Sequence, residues 1–520
     1  MRIGVDVGGT NTDAALISGH DIVAAVKRPT SADVGGGIVD AVQSLIRDAD
    51  VDASDIEAVM IGTTHFTNAF VQRRDLTKVL AIRIGAPASR GIPPFSGWPR
   101  DVRDAVFGDS ALIRGGFNFD GQQIADFDAE AVADVARRAA DAGITQVAVS
   151  CIFSHLNAEQ EVRAAEIIAE VAPGLGISLS SELGRAGLLE RENAAIMNAC
   201  LRPLASKVAV AFGDALNHLQ LICPWYVSQN DGTLMSAAQL RRHPVLTFAA
   251  GPTNSLRGAA WLTGQSEAVV IDIGGTTTDI GVLRKGFPRQ SSVHVDVGGV
   301  RTNFRMPDIL SVGLGGGSLV VVDGDSVRVG PQSVGYALRE KARVFGGATL
   351  TASDIAIASG WADFGDAELV ANLDGRTLNA ARREMARIVA EAIDRIKTTP
   401  GATPAILVGG GSILVGETPP GVSDLHRPDH AGVANAIGAA IGQVSGEIDR
   451  IYTIASPADR EAAFIEARQL ATQRVLDAGG TEDGLEIVDL EAIPLQYVSG
   501  GATRVICRAV SDLAAMEARA

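Results

Sequence analysis

The chain repeats itself across most of its length. Residues 3–17 read IGVDVGGTNTDAALI and residues 269–283 read VVIDIGGTTTDIGVL. Asp6, Gly8, Gly9, Thr10, Thr12 and Asp13 therefore recur as Asp272, Gly274, Gly275, Thr276, Thr278 and Asp279. In each copy an aliphatic run enters D-x-G-G-T-x-T-D and a second one leaves it, which is the pattern of a β-hairpin with a turn rich in glycine and hydroxyls. Two hairpins so alike and so far apart point to two lobes of one design.

The remaining periodicity agrees with an α/β chain. Short aliphatic strands are predicted near 2–7, 14–17, 58–61, 78–83, 146–151, 268–273, 279–283 and 405–408. Helices are predicted near 34–47, 128–142, 157–170, 191–216 and 375–397. With 520 residues the chain is too long for one core, and only 4% aromatic residues beside 58 glycines suit aliphatic strands and tight turns. The expected division is 1–180, 181–446 and a small α+β tail at 447–520. No low-complexity linker separates these parts, so the lobes are expected to share a broad interface.

A formal net charge of -16 offers nucleic acid and anionic membranes no long-range attraction, so neither is an expected partner. Cys151, Cys200, Cys223 and Cys507 form no C-x-x-C pair and read as buried thiols. The N-terminus reads as a strand and turn instead of a leader. No apolar run is expected to reach the roughly 18 residues that span a bilayer. A cytoplasmic protein is the expectation.

The turns suggest what such a chain could bind. Glycine lets backbone N–H groups approach an anion, and threonine hydroxyls add donors, so D-G-G-T-x-T-D carries phosphate-binding groups. The acids cannot face phosphate unaided and fit better as holders of Mg²⁺ or of an attacking nucleophile. Two such turns facing across a cleft would clamp a triphosphate from both sides. The bland alternative is a tight turn whose Thr and Asp satisfy local backbone groups. A third glycine run, PAILVGGGS at 404–412, also ends a strand, while P-loop and dinucleotide glycine motifs are missing.

VDVGGTNTD, IDIGGTTTD and LVGGGS together resemble the phosphate-1, phosphate-2 and adenosine motifs of the actin, sugar-kinase and heat-shock-70-chaperone ATPase superfamily. More narrowly the chain resembles the hydantoinase/oxoprolinase family, N-methylhydantoinase A type, through GTTHFTNAFVQRR (62–74), SCIFSHLNAEQE (150–161) and SVGLGGGSLVVVDGDSVRVGPQSVG (311–335). The resemblance implies two duplicated actin-like (ribonuclease-H-like) ATPase lobes around a nucleotide cleft. It places Gly8, Gly9, Thr10, Asn11 and Thr12 on the nucleotide phosphates, opposed by Gly274, Gly275, Thr276, Thr277 and Thr278. It makes Asp6, Asp272 and Asp279 the catalytic acids, with Asp6 and Asp272 toward Mg²⁺, and lays Gly409, Gly410 and Gly411 against adenosine. The implied reaction uses ATP to phosphorylate the oxygen of a cyclic amide such as a hydantoin, 5-oxoproline or lactam, so that water can open the ring. The implied partners are that small substrate, a B-type hydantoinase subunit and a second copy of the chain. A small-molecule kinase or a regulatory actin-like ATPase are the alternative readings.

Outside these motifs, Thr63, Thr64 and Asn68 follow a strand and read as substrate contacts or as a helix cap. Gly315, Gly316 and Gly317 imply close backbone approach to a ligand or another segment, and Asp308 matches an acidic family position. Glu182, Glu190, Arg191, Glu192 and Asn193 read as a solvated helix start. His155 reads as a satisfied junction histidine or a functional one, and HRPDH (426–430) as packing or capping. The run GYALREKARVFGG (335–347) replaces a proline-rich family segment.

Overall fold

The computed structural model describes residues 1–8, 11–29, 34–119, 121–291, 294–324, 326–495 and 501–513. Each copy of the repeat forms the expected hairpin, and each hairpin is completed by a parallel strand from further along the chain. In the first lobe Arg2–Val7 pairs antiparallel with Asn11–Ser18 and parallel with Ala58–Thr63. In the second lobe Val269–Ile273 pairs antiparallel with Thr278–Arg284 and parallel with Thr403–Val408. Ile3, Val5, Ile271 and Ile273 are fully covered, as is usual for central strands packed on both faces. Each such side chain contributes about 1.5–3 kcal/mol by leaving water.

Sheet membership does not follow the expected boundary at residue 181. Trp225–Ser228 and Leu234–Ser236 extend the first sheet, giving it six strands that also include Asp21–Pro29. The helix Leu188–His218 packs into the first lobe's core through Ile196, Met197, Leu201 and Phe212. A separate parallel sheet, Phe107–Arg114, Val79–Ala86, Gln146–Cys151 and Gly176–Leu179, lies within the first 180 residues. The tail is α+β, as expected: the helix Pro457–Asp477 packs on a sheet of Val444–Thr453, Ala502–Ser511 and Glu486–Pro494. Arg257 and Arg508 lie over the Phe287 ring, 3.8 and 4.6 Å from its centre, and fasten that tail to the second lobe.

Two helices cross between the lobes, Ala250–Thr263 and Ala434–Ala440. Their small residues let backbone meet backbone. A Cβ on Gly258 would overlap the carbonyl oxygen of Ala434, and one on Gly438 would overlap that of Asn254. Gly4 of the first strand gives Ala436 the same close seat. At this crossing the lobes meet through glycine, backbone against backbone.

Two expectations need correction. The helix Leu188–His218 is long and apolar enough by composition to cross a membrane, contrary to the sequence reading; 67% of its most apolar 18-residue window is buried inside the fold, so the apolarity serves the core. Of the polar group read as its solvated start, only Glu182 is exposed, and Glu190 in part. Arg191, Glu192 and Asn193 are buried, with Glu192 Oε1 2.5 Å from Arg83 Nη2 and Glu192 Oε2 2.8 Å from the Ser150 hydroxyl. Arg191 donates to the Cys151 carbonyl and to the Ser154 and Ser180 hydroxyls. An acid or guanidinium buried so deeply has to be paired, and both are. All four cysteines are free, and three of them are buried.

Candidate active site between the two hairpins

Strand register places the acids. Asp6 stands directly opposite Asp13 on the first hairpin, and Asp272 opposite Asp279 on the second. The turns are closed by the same bond, Gly8 N to Asn11 O at 3.0 Å and Gly274 N to Thr277 O at 2.9 Å. Like charges facing each other across a sheet repel, so each pair has to be held by its neighbours. In the first lobe Lys27, in register with Asp13 on the next strand, brings its ammonium to 2.8 Å from Asp13 Oδ2. In the second lobe the same place is taken by Ser311, whose hydroxyl donates to Asp279 Oδ1. On the other side each first acid has a glycine beside it. A Cβ on Gly62 would overlap Asp6 Oδ1, and one on Gly409 would overlap Asp272 Oδ1.

The crossing helices bring the two sites together. Asn435 donates both amide hydrogens, to Asp6 Oδ2 at 2.9 Å and to Asp13 Oδ2 at 3.0 Å. Ser255, on the other crossing helix, is hydrogen-bonded to Asp272. Lys27 reaches across to the Gly432 carbonyl at 2.9 Å. Asp6 and Asp13 are only 4% and 3% exposed, and their Oδ1 atoms have no hydrogen-bond partner. Burial, then the charge of Asp13, push the Asp6 carboxyl up to about 7 against the pull of Asn435. Burial also raises Asp272 to about 6 against its bond from Ser255, with Asp279 adding repulsion. Asp279 is raised by burial as well, and its bond from Ser311 opposes this. Asp272 and Lys27 both act electrostatically on Asp6, so the two hairpins face one shared field.

The expected site residues divide into those at this centre and those that support it. Asp6, Asp272 and Asp279 are at it, and Gly8, Asn11 and Thr12 form or flank the first turn; Gly9 and Thr10 lie outside the described residues. Gly275, Thr276 and Thr277 are exposed at the tip of the second turn, whereas Thr278 is buried and donates to the Leu314 carbonyl at 2.7 Å. Gly315, Gly316 and Gly317 back that tip. Gly316 N and Gly317 N donate to the carbonyls of Gly274 and Gly275 at 3.0 and 2.8 Å, and a Cβ on Gly315 would meet Thr276 N at 2.5 Å. Gly409 and Gly411 lie against Ile273 and Gly274, and a Cβ on Gly410 would find only Lys27 Cε, at 4.0 Å.

Thr63 is buried and accepts from His65 N at 3.1 Å. Thr64 occupies the N-cap position of His65–Gln72 with no capping bond from its side chain, and its hydroxyl takes the Asn68 amide at 3.3 Å. A Cβ on Gly251 would lie 3.4 Å from Thr64 Cγ2 and 3.8 Å from Asp6 Oδ1, so Thr64 borders the acids. Asp308 is committed elsewhere: Arg289 reaches its Oδ2 at 2.6 Å and also holds the Ile396 carbonyl.

Lys27, Asn435, Ser255, Gly62 and Gly251 were not singled out from sequence. Lys27 and Ser311 could have been found by laying each third strand in register against its hairpin. Asn435 is the one polar residue in the run VANAIGAA, and that is the signal it gave.

Comparison with known proteins bears on the family and the fold. The model of the hydantoinase/oxoprolinase N-terminal region matches residues 2–172, and the hydantoinase/oxoprolinase model matches residues 191–364. The gamma subunit of acetophenone carboxylase from Aromatoleum aromaticum is 26% identical over 396 residues, covering 69% of this chain and 53% of that protein. Caprolactamase subunit alpha from Pseudomonas jessenii is 24% identical over 379 residues, covering 69% of this chain and 54% of that protein. The chain thus spans about half the length of these curated relatives. The crystal structure of the ATP-dependent caprolactamase from Pseudomonas jessenii superposes with a TM-score of 0.77 at 17% identity, over 99% of this chain and 88% of that one, and so shares the fold. With both family models matched over well more than half of its residues, the chain belongs to the hydantoinase/oxoprolinase family.

Proposed function

We propose that this chain is the ATP-using part of a cyclic-amide hydrolase, acting on a hydantoin, 5-oxoproline or lactam through O-phosphorylation of the amide. The observation that carries this reading is the meeting of Asp6, Asp13 and Asp272 between two glycine turns, with buried carboxylate oxygens left unpartnered. Such oxygens fit a divalent cation. Among the described residues no group of three His, Cys, Asp or Glu side chains is placed to ligate a metal. Mg²⁺ commonly takes one or two carboxylates and completes its shell with phosphate and water. Asp6 and Asp272 would hold it, and Gly275, Thr276 and Thr277 would orient phosphate at the exposed turn.

Bound Mg-ATP supplies a phosphoryl group that turns a poor amide electrophile into one with a good leaving group. Asp279, kept in place by Ser311, is positioned to orient a nucleophile or take its proton. The backing of the second turn by Gly315–Gly317 keeps its donors fixed, which lowers the cost of organising them during reaction. A B-type subunit is the expected partner for the hydrolytic half, since caprolactamase and acetophenone carboxylase relatives are named as subunits.

The test is to incubate the protein with Mg-ATP and a panel of hydantoins, 5-oxoproline and lactams, following phosphate release and ring opening separately. Substrate-stimulated release of both supports the reading; phosphate release alone points to a missing B-type subunit or to a kinase. The acetophenone carboxylase relative supports a second reading, so the panel includes a ketone with bicarbonate. A protein that binds no ATP would end both.

A further inference from the structure

Lys27 is an exception within the acid cluster. It lies on the third strand of the first lobe, it is 39% exposed on the cleft side of Asp13, and two of its bonds are accounted for: Asp13 Oδ2 at 2.8 Å and the Gly432 carbonyl at 2.9 Å. An ammonium has three N–H donors, so one remains for an acceptor outside the described residues. Gly410 faces the lysine stem, and a Cβ there would still be 4.0 Å from Cε, so Gly410 leaves the stem uncrowded. Lys27 also acts electrostatically on both Asp6 and Asp272, one from each hairpin.

We propose that Lys27 receives a phosphate oxygen of the bound nucleotide and, through Gly432, ties phosphate binding to the approach of the two lobes. The inference rests on the nucleotide reading of the cleft and adds a residue and a coupling to it. A cation already bound to one lobe's acid and the other lobe's backbone can add an anion without desolvating a fresh charge. Ion pairing with phosphate then adds a charge-assisted bond to the bridge it already makes. The ligand class is a nucleoside di- or triphosphate. A nucleoside without phosphate lacks the group that Lys27 would hold.

The experiment measures affinities of the full chain, the Lys27→Met variant and the Lys27→Arg variant for ATP, ADP and adenosine, with thermal unfolding as the check on folding. In Lys27→Met, ATP and ADP affinity should fall about ten-fold or more, the size of one charge-assisted bond, while adenosine affinity changes by less than about two-fold. Lys27→Arg should recover most of the loss. Equal losses for ATP and adenosine, or a folded Lys27→Met that binds ATP like the wild type, would overturn the proposal. If the wild type binds adenosine but no phosphate changes its affinity, the role of Lys27 falls alone. If the wild type binds none of the three, the nucleotide reading itself falls.

Discussion

The two hairpins share strand order, turn hydrogen bond, acid register and a crowding glycine, yet the neighbour of the second acid differs: Lys27 beside Asp13 and Ser311 beside Asp279. Duplication kept the scaffold while the electrostatics diverged. The first lobe answers its acid pair with a cation and an interlobe amide, and the second with two hydroxyls, Ser311 and Ser255. A full positive charge suits a site that must both hold an acid pair and meet an anion. A hydroxyl holds a carboxylate without neutralising it, which suits an acid that has to orient water or take a proton.

The sharpest way to break this contrast is to remove the first acid of each pair. Asp6→Asn and Asp272→Asn should each lower substrate-dependent phosphate release by roughly 10²–10⁴-fold in a folded protein; unchanged turnover in either would remove that acid from the mechanism. Stability should separate them from inert positions. Between 3.8 and about 7 folded Asp6 keeps a proton that the unfolded chain has released, so stability falls as pH rises through that window and is level above it. Asp6→Asn should therefore stabilise the ligand-free protein by roughly 2–4 kcal/mol at pH 8, and by progressively less toward pH 4, as read by denaturant unfolding. A gain that does not change with pH would show that ionisation is not its source.

The crowding glycines come next in expected size. Gly62→Ala and Gly409→Ala should displace Asp6 and Asp272 and reduce turnover by about 10–100-fold. Gly409, with φ of +86°, should also lose about 1 kcal/mol or more of stability that Gly62 does not. Equal stability losses would mean that crowding alone sets the cost. The smallest effect is expected at Ser311→Ala. Without its hydrogen bond the Asp279 carboxyl moves further upward, so the acid limb of the pH–rate profile, where a proton-accepting carboxylate is lost, should shift to higher pH with only a several-fold loss in rate. A pH–rate profile that stays in place would exclude Asp279 from the titrating group.

Much of this site can be read from the sequence because a hairpin is a local object. Asp6, Asp272 and both turns follow from an alternation of aliphatic residues around D-x-G-G-T, and strand register does the rest. Lys27 and Asn435 could not be read that way, since each is lone and chemically ordinary until a neighbouring strand or helix brings it to an acid. The glycine runs were visible, and for Gly315–Gly317 approach to another segment was one of two readings, but which segment they meet was not. Gly315, Gly316, Gly317, Gly409 and Gly411 leave room for the protein's own second hairpin, a long-range contact that no local pattern encodes. The buried start of Leu188–His218 was misread for a similar cause, because a charged triplet looks solvated until Arg83 arrives from a distant strand.

The helix crossing at Gly258 and Gly438 makes that point a fulcrum. Where backbone touches backbone there is no side chain to slide or repack, so any rotation of one lobe against the other turns about it, and displacement grows with distance from it. Asn254, Ser255 and Asn435 sit on the crossing itself and travel least, whereas the exposed tip at Gly275–Thr277 lies beyond Asp272, further along the chain. On the nucleotide reading proposed above, the groups that hold the acids lie near the pivot and those proposed to meet phosphate lie at the turn tip, and one methyl added at either glycine would force the crossing apart.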